Sequence, residues 1–246
     1  MRPGDRFRSR YMIKRELGRG GMGVVYEAVD ELRGELPCAI KVLHAHREPD
    51  QRYRKRFRAE LDLLTRLRHP NIVEVFEANY PQATEGTIEQ SPFIVMELLK
   101  GQSLGDLLRS DEPLSLTEAL RLIMQALNAL ERMHREGVVH RDLKPDNFFI
   151  CSAPEHGQKV LKVLDFGVAK DLLSDTSLTA SLDNAMIGTP RYMAPEQIQN
   201  GDVTAQSDLY ALGVILFELI RGQRLFSLDQ IRLPSELRAL PANFKL

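Results

Sequence analysis

The chain has 246 residues, 43% of them hydrophobic and 27% charged, which is long enough to bury a core and typical of a globular protein. Its 33 basic and 34 acidic residues leave a formal net charge of -1, which excludes a global electrostatic attraction to nucleic acid or to anionic membranes. The sequence has no run of about 18 apolar residues, no apolar signal region and no metal-binding pattern around Cys38 and Cys151, so we expect a cytoplasmic protein with reduced thiols.

The first third of the chain has the pattern of a β-sheet, after an N-terminal leader at residues 1–10. β-Branched and small apolar residues predict strands at 11–17, 23–29 and 36–43. Two further apolar runs, at 71–78 and 93–98, flank a polar loop and are typical of a hairpin. We therefore predict a sheet of about five strands.

Beyond about residue 100 the chain is mainly helical. Leu116, Leu120 and Ile123 begin an apolar repeat that predicts a long helix running to His134. Residues 207–220 are apolar nearly all round, which predicts a helix buried in the centre of a lobe. Short strands are predicted at 148–150 and 160–164, and residues 171–185 form a polar loop.

A glycine-rich motif follows the first predicted strand. Gly18, Gly20 and Gly23 match G-x-G-x-x-G, which alone is a weak signal because such glycines also occur in ordinary turns and in dinucleotide-binding folds. A dinucleotide motif opens a helix, whereas residues 24–29 have a strand pattern. We therefore predict a β-hairpin whose missing side chains let it close over the phosphates of ATP.

A lysine and a glutamate are predicted to form an internal ion pair. Lys41 lies within the apolar third strand, where a charged side chain needs a partner. Apolar residues at three- and four-residue spacing predict an amphipathic helix at 52–68, and Glu60 lies on or beside its apolar stripe. The pair would hold Lys41 against the α- and β-phosphates of ATP, although a lone lysine is more often a surface charge.

The run HRDLKPDN, from His140 to Asn147, is the most specific segment of the sequence. Asp142 can accept the proton of an attacking hydroxyl, Lys144 can neutralise charge on a moving phosphoryl group, and Asn147 offers an oxygen to Mg²⁺. Asp165 begins the sequence DFG, 18 residues after Asn147, and supplies a carboxylate for the same ion. Either motif alone could be an ordinary charged loop, but their order and spacing favour phosphoryl transfer.

These motifs resemble those of the protein kinase superfamily, over a stretch from about Tyr11 to Phe226. LGRGGMGVVY from Leu17 and RHPNIV from Arg68 resemble the bacterial, eukaryotic-like serine/threonine kinases in particular. The resemblance implies an α+β, two-lobed fold with ATP in the cleft between a β-rich N-lobe at 11–99 and a helical C-lobe at 100–226. It also implies Mg²⁺, or Mn²⁺ in its place, as the metal.

The resemblance implies roles for residues at matching positions. The set expected to contact ATP is Leu17, Gly18, Gly20, Gly23, Val25, Ala39, Lys41, Met96, Glu97, Leu99 and Phe149. Within it, Val25, Ala39 and Phe149 would sandwich the adenine. Met96 would be the gatekeeper, and Glu97 and Leu99 would offer hinge backbone groups.

A second group of matching residues resembles the serine/threonine rather than the tyrosine kinases. It comprises Lys144 and the run GTPRYMAPE from Gly188. Thr189 would contact Asp142 and Lys144 beside the substrate hydroxyl. Asp208 matches the buried acid that braces the catalytic loop in the family.

The sequence departs from the family pattern in two places. Phe149 stands where the family has a smaller aliphatic residue, which implies a tighter adenine floor. Residues 227–246 do not resemble the helices that follow in the family, including the arginine that pairs with the acid at Glu196. We therefore expect an incomplete C-lobe that is marginally stable or self-associating. Glu196 would then need a proton or a substitute cation, for which the candidates are Arg221, Arg224 and Arg232.

Three functions stay open from the sequence: an active Ser/Thr protein kinase, an inactive kinase-like binding or scaffold module, and a small-molecule phosphotransferase. The peptide-docking run from Gly188 favours the first over the third. An active kinase would act on protein substrates bearing Ser or Thr. We further expect autophosphorylation at Thr179 or Ser181, with the phosphate pairing with Arg141.

Overall fold

The computed structural model of the chain describes residues 1–21, 23–44, 61–79, 91–110, 114–152, 159–165, 190–198 and 202–226. The chain divides into two compact units, Met1–Lys100 and Gly101–Leu246, each of which is described by itself.

The first unit contains a six-stranded antiparallel sheet with the order β1-β2-β3-β4-β6-β5. Its strands are β1 (Arg6–Phe7), β2 (Tyr11–Gly20), β3 (Gly23–Asp30), β4 (Leu36–Leu43), β5 (Val75–Asn79) and β6 (Phe93–Glu97). A 3₁₀ turn, Glu31–Arg33, joins β3 to β4. Helix α1 is described over residues 61–66, where Leu61 and Leu64 are buried.

The sheet has one strand more than the sequence predicts. β1 lies in the first ten residues, and it pairs Phe7 with Tyr11. Both side chains are buried, and the Phe7 ring meets the Phe93 ring edge to face at 5.1 Å. A two-residue strand is too short to show an alternating pattern, so only its packing reveals it.

The two faces of this sheet carry different sets of side chains. Period-two alternation sends one set of side chains from β3, β4 and β6 into a hydrophobic core that also contains Phe7 and Tyr11. That set is Val24, Tyr26, Ala28, Cys38, Ile40, Val42, Phe93 and Val95. The alternate residues lie on the opposite face.

The second unit combines a three-stranded sheet, in the order β7-β8-β9, with helices. Its strands are β7 (Gly101–Ser103), β8 (Phe148–Ser152) and β9 (Lys159–Val163), and its helices are α2 (Leu104–Arg109), α3 (Leu116–Arg135), α4 (Pro195–Ile198) and α5 (Ala205–Arg221). β7, α2 and α4 are not predicted by the sequence, because elements of three to six residues carry too little periodicity. No helix in the described part of the chain is long and apolar enough to cross a bilayer.

Helix α3 confirms the predicted long helix. A capping box starts it: the Ser115 hydroxyl accepts from the Glu118 amide, and the Glu118 carboxylate accepts from the Ser115 amide. Its apolar stripe, including Leu122, Ala126 and Met133, is buried. The Gln125 amide ties α3 to β9 by donating to the Lys159 carbonyl and accepting from the Leu161 N–H.

Helix α5 differs from the prediction of a helix buried on all sides. Leu209 and Ile220 are about half exposed, at 48% and 49%. Three polar side chains on the helix are buried instead, namely Ser207, Asp208 and Glu218. Buried polar groups need hydrogen-bond partners, so this helix has a connecting role as well as a packing role.

Candidate active site

Four of the predicted nucleotide-contacting residues of the first unit share the sheet face that lies opposite its core. The strand register places Val25 directly across from Lys41, and Ala39 directly across from Met96. Directly paired residues point to the same face of a sheet. One face therefore presents Val25, Ala39, Lys41 and Met96, which is the arrangement that a flat ligand on this face requires.

Lys41 is buried on that face, with a relative exposure of 7%. It lies between Val25 on β3 and Ile94 on β6. An ammonium group in such a place requires internal compensation for its lost hydration. The predicted partner, Glu60, lies outside the described residues, so the ion pair stays a prediction.

The glycine-rich motif forms the turn of the β2–β3 hairpin, as predicted. Gly18 pairs with Val25, and Gly20 pairs with Gly23. The register shifts between Glu16 and Gly18, which leaves Leu17 at an irregularity of β2 with 40% exposure. Gly18 and Gly20 have open space where a side chain would be.

The physical reason for a glycine at position 23 differs from the reason at positions 18 and 20. A Cβ added at Gly23 would overlap the carbonyl oxygen of Val42 on β4. A backbone atom within a sheet cannot move aside cheaply, so this glycine permits strand packing. The sequence predicts phosphate contact for all three glycines, and this packing role of Gly23 is not visible in it.

The predicted hinge residues lie at the end of β6 and just after it. The Glu97 amide donates to the Glu74 carbonyl at 2.9 Å, and the Glu97 carboxylate accepts from the Glu74 amide at 2.8 Å. These bonds fix the backbone of Glu97 beside β5. Leu99 is half-buried two residues later. Their contacts to a nucleotide stay predictions.

In the second unit, Asp208 of α5 holds the HRD segment. Its carboxylate accepts from the backbone N–H groups of His140 and Arg141 at 2.8 and 2.9 Å. The Nε2 atom of His134 on α3 lies 2.8 Å from the same carboxylate. Arg141 has φ of 65°, a left-handed conformation that is unfavourable for a side-chain-bearing residue and needs such support.

His140 is fully buried, and its hydrogen bonds define its tautomer. The Asp142 N–H donates to Nδ1 at 3.3 Å, so Nε2 carries the proton and donates to the Leu164 carbonyl at 2.8 Å. Burial lowers the pKa of His140, because desolvation disfavours the imidazolium. The neutral ring therefore links the HRD segment to Leu164, the residue before Asp165.

The loop brings together Asp142, Lys144 and Asn147. The Lys144 Nζ lies 3.7 Å from the Asp142 carboxylate. The Asn147 amide nitrogen donates to the Asp142 backbone carbonyl at 2.7 Å, which fixes the side-chain amide and leaves its oxygen for another contact. Asp142 is buried, with 6% exposure.

The pairing of β8 with β9 brings the backbone of Asp165 close to that of Asn147. The Leu164 N–H donates to the Asn147 carbonyl at 2.8 Å, extending the pairing of Phe148 with Val163. Asp165 has φ of 51°, a second left-handed residue at this site. One amide oxygen and one carboxylate are the hard ligands that suit Mg²⁺, which is otherwise coordinated by water and phosphate. The chemistry of this pair thus fits the metal expected from the sequence.

The comparisons with known proteins agree with this geometry. A family model described as "Protein kinase domain" matches residues 11–243. The chain belongs to this family. The resemblance predicted from the motifs is therefore confirmed.

Bacterial serine/threonine-protein kinases are among the curated relatives of this kinase domain. It is 41% identical over 226 residues to the probable serine/threonine-protein kinase PknB of Lactococcus lactis, covering 92% of this chain and 34% of that protein. It is 36% identical over 220 residues to serine/threonine-protein kinase PknB of Mycobacterium tuberculosis, covering 89% and 34%. The chain thus spans about a third of the length of the curated relatives it matches.

A solved structure confirms the predicted kinase fold. The Mycobacterium tuberculosis PknI kinase domain matches with a TM-score of 0.69 and 26% identity, covering 92% of this chain and 80% of that one. The sheet of the first unit and the helices of the second unit are the α+β elements expected of the two lobes.

Some predicted site residues of the kinase domain lie outside the described residues. These are Glu60, Thr189, Thr179 and Ser181, together with the tail at 227–246. Phe149 is described: it lies on β8, half-buried, and pairs with Ser103 and Lys162. Its contact with adenine stays a prediction.

The sequence predicts that Glu196, if buried, needs a proton or a substitute cation. Glu196 is half-buried, and the Ser207 hydroxyl donates to its carboxylate at 2.5 Å. Glu196 is therefore less buried than the prediction assumed, and the predicted cation stays a prediction because Arg232, one of its candidates, lies outside the described residues.

Sequence reasoning missed two further contacts of the kinase domain. The Tyr192 hydroxyl donates to the buried Glu218 carboxylate at 2.9 Å, and burial raises the pKa of Glu218. The Gln197 side chain contacts the backbone of Arg141. An acid within the apolar α5 sequence was a usable signal for the first contact, whereas no local pattern marks Gln197.

Proposed function

We propose that this chain is an active serine/threonine protein kinase that transfers the γ-phosphoryl group of ATP to Ser or Thr hydroxyls of protein substrates. The observation that carries the proposal is the arrangement of the catalytic loop. Asp142, Lys144 and Asn147 lie together and are held through Asp208. A loop without a catalytic role would have little reason to maintain the left-handed Arg141.

The proposed reaction assigns a separate task to each residue. The substrate hydroxyl oxygen attacks the γ-phosphorus, the bond to the β–γ bridging oxygen breaks, and ADP leaves. The hydroxyl proton passes to the Asp142 carboxylate, whose orientation is fixed by the loop. Lys144, within 4 Å of that carboxylate, offsets negative charge on the moving phosphoryl group.

We assign nucleotide binding to the glycine turn and to the face of the first sheet that lies opposite its hydrophobic core. Lys41 would neutralise the α- and β-phosphates, and Gly18 and Gly20 leave room for phosphate oxygens near the backbone. Asn147 and Asp165 would hold Mg²⁺, or Mn²⁺, which neutralises phosphate charge when bound.

A kinase-like binding module is the second candidate. The presence of Lys41, Asp142, Asn147 and Asp165 favours catalysis over binding alone, because a binder needs no base. A small-molecule phosphotransferase is disfavoured by the family and by the relatives, whose names specify protein kinases.

The test of this proposal is a radiolabelled ATP assay with the Asp142→Asn variant. We expect phosphate transfer to fall about a hundredfold or more, with ATP affinity largely unchanged, because the amide cannot accept the proton. Asp202→Asn, a substitution of an exposed acid outside the site, is the matched control and should act as wild type. Equal incorporation by wild type and Asp142→Asn would reject the active-kinase proposal.

Two further results separate the candidates. Phosphoamino-acid analysis should find phosphoserine or phosphothreonine in a protein substrate, whereas phosphate transferred to a small molecule would favour the third function. ATP binding without transfer by the wild-type protein would favour the binding module.

Autophosphorylation at Thr179 or Ser181 is the proposed means of regulation. A phosphate there would add negative charge that can pair with Arg141, directly before Asp142. We expect the Thr179→Ala/Ser181→Ala double variant to lose most autophosphorylation and to have reduced transfer to other substrates. Unchanged activity of the double variant would contradict this assignment.

A further inference from the structure

The side chain of Gln197 connects two parts of the second unit. Its Oε1 accepts from the backbone N–H of Ala194 at 3.0 Å, and its Nε2 donates to the backbone carbonyl of Arg141 at 2.9 Å. Ala194 is fully buried, and Gln197 is half-buried on the short helix α4. One amide thus joins the segment 190–198 to the catalytic loop.

Arg141 is consequently held from both sides. Its N–H donates to Asp208, and its carbonyl accepts from Gln197. The carbonyl of Arg141 belongs to the peptide plane that leads into Asp142. Arg141 is left-handed, with φ of 65°, so removing the Gln197 bond allows this plane to relax toward a more favourable conformation. The direction of the Asp142 carboxylate depends on that plane.

The chemistry of the contact requires a primary amide of glutamine length. The Ala194 N–H needs an acceptor and the Arg141 carbonyl needs a donor, and the glutamine amide supplies both at neutral pH, where a glutamate at this position would be ionised. An ionised glutamate can accept from Ala194 but presents an oxygen to the Arg141 carbonyl. A protonated glutamate restores the donor.

We propose that Gln197 is a positioning residue for phosphoryl transfer, which sets the orientation of Asp142 relative to the segment 190–198 through the Arg141 carbonyl. The proposal rests on the proposed kinase function. Gln197 acts in this proposal through its hydrogen bond to the Arg141 backbone and not as a catalytic residue.

The decisive variant is Gln197→Glu, measured as the ratio of its kcat to that of wild type between pH 8 and pH 5.5. At pH 8 we expect a kcat loss of about tenfold to a hundredfold with little change in the KM for ATP, since a small misplacement of a catalytic group has effects of this size. As the pH falls, protonation restores the donor, and the ratio should rise at least about threefold, because a hydrogen bond to the neutral form raises a carboxyl pKa. The wild type contains the same Asp142, Asp208, Glu196 and His134, so the ratio cancels their titrations.

Two variants provide matched controls. Gln197→Met removes both bonds and cannot titrate, so its kcat ratio should be low and independent of pH. Gln125→Glu makes the same chemical change in an amide that also bridges a backbone carbonyl and a backbone N–H, but between α3 and β9. It should change thermal stability by a similar amount while its kcat ratio stays near one at every pH.

The outcomes are distinct. A wild-type kcat for Gln197→Glu at pH 8, or a ratio that stays flat with pH, would overturn the proposal. An equal kcat loss in Gln125→Glu would also overturn it, by showing a general loss of stability.

If wild type transfers no phosphate, the proposed function fails, and hydrogen exchange of residues 138–144 tests the positioning role alone. Exchange there should increase in Gln197→Glu and not in Gln125→Glu, and unchanged exchange in both would reject it.

Discussion

Two buried aspartates, one in each unit, satisfy their charge in different ways. Asp30 in the first unit accepts two hydrogen bonds from the Arg10 guanidinium, at 2.8 and 2.7 Å, and caps the turn at Leu32. Arg10 also donates to Glu77 on β5 at 2.7 Å. Asp208 in the second unit is bound instead by two backbone N–H groups and by His134.

The difference separates a stabilising role from a positioning role. The contacts of Arg10 join the residue before β2 to the last residue of β3 and to the middle of β5, so their loss should weaken the sheet without moving the glycine turn. The Asp208 carboxylate fixes particular peptide planes, including that of the left-handed Arg141. A side chain can rotate to another partner, but a backbone N–H group cannot. The loss of Asp208 should therefore alter the local backbone geometry directly.

The largest expected effect is that of Asp208→Ala. It leaves two buried N–H groups without their acceptor, which should destabilise the second unit by about 3–5 kcal/mol, as breaking a buried charged contact does. Turnover of the folded fraction should fall at least about a hundredfold. Asp208→Asn, which keeps one acceptor oxygen, is the milder control. Chemical denaturation and initial rates measure both effects, and wild-type turnover in Asp208→Ala would remove the proposed distinction.

Asp30→Ala should be almost as destabilising but catalytically mild. Removal of the carboxylate leaves Arg10 without its main partner and should cost about 3 kcal/mol. Hydrogen exchange should rise in β2 and β3, whereas kcat below the melting transition should change less than about threefold. A kcat loss as large as that of Asp208→Ala would show that the two aspartates share one role.

A smaller effect on stability is expected from alanine substitutions at two glycines, one of which faces a backbone atom and the other a side chain. An added Cβ would overlap a backbone carbonyl at Gly23 and the Asp146 carboxylate at Gly105. Gly23→Ala should therefore cost about 1–3 kcal/mol, as overpacking does. In Gly105→Ala the Asp146 side chain can rotate, losing a half-exposed contact with Arg109, and the better helix propensity of alanine in α2 offsets this. Equal melting temperatures for the two variants would contradict this reasoning.

The smallest expected effect is a pH dependence. The hydrogen bonds from Arg10 hold the pKa of Asp30 below its ordinary value. Its stabilising contribution is therefore complete above the unfolded pKa of about 3.9 and is lost as the pH falls through the lower folded value. The difference in unfolding free energy between wild type and Asp30→Asn should be constant near neutral pH and narrow below about pH 4. If the difference in unfolding free energy were the same below pH 4 as at neutral pH, the Arg10–Asp30 ion pair could not be its source.

Local pattern was sufficient to predict most of the elements and the family. The strands β2 to β4 and the helix α3 follow from periods of two and 3.6 residues, and the catalytic run is contiguous from His140 to Asn147. The shared face of Val25 and Lys41 was not predicted, because it depends on the pairing register between strands.

The sequence by itself was sufficient to name the residues that we propose for phosphoryl transfer, since Asp142, Asn147 and Asp165 stand out by type and spacing. The tertiary structure decided what holds them. His134 and Asp208 are 74 positions apart, and Gln197 and Arg141 are 56 positions apart. No local periodicity links residues at such separations, because hydrogen bonds between them form only after the helices and strands have packed.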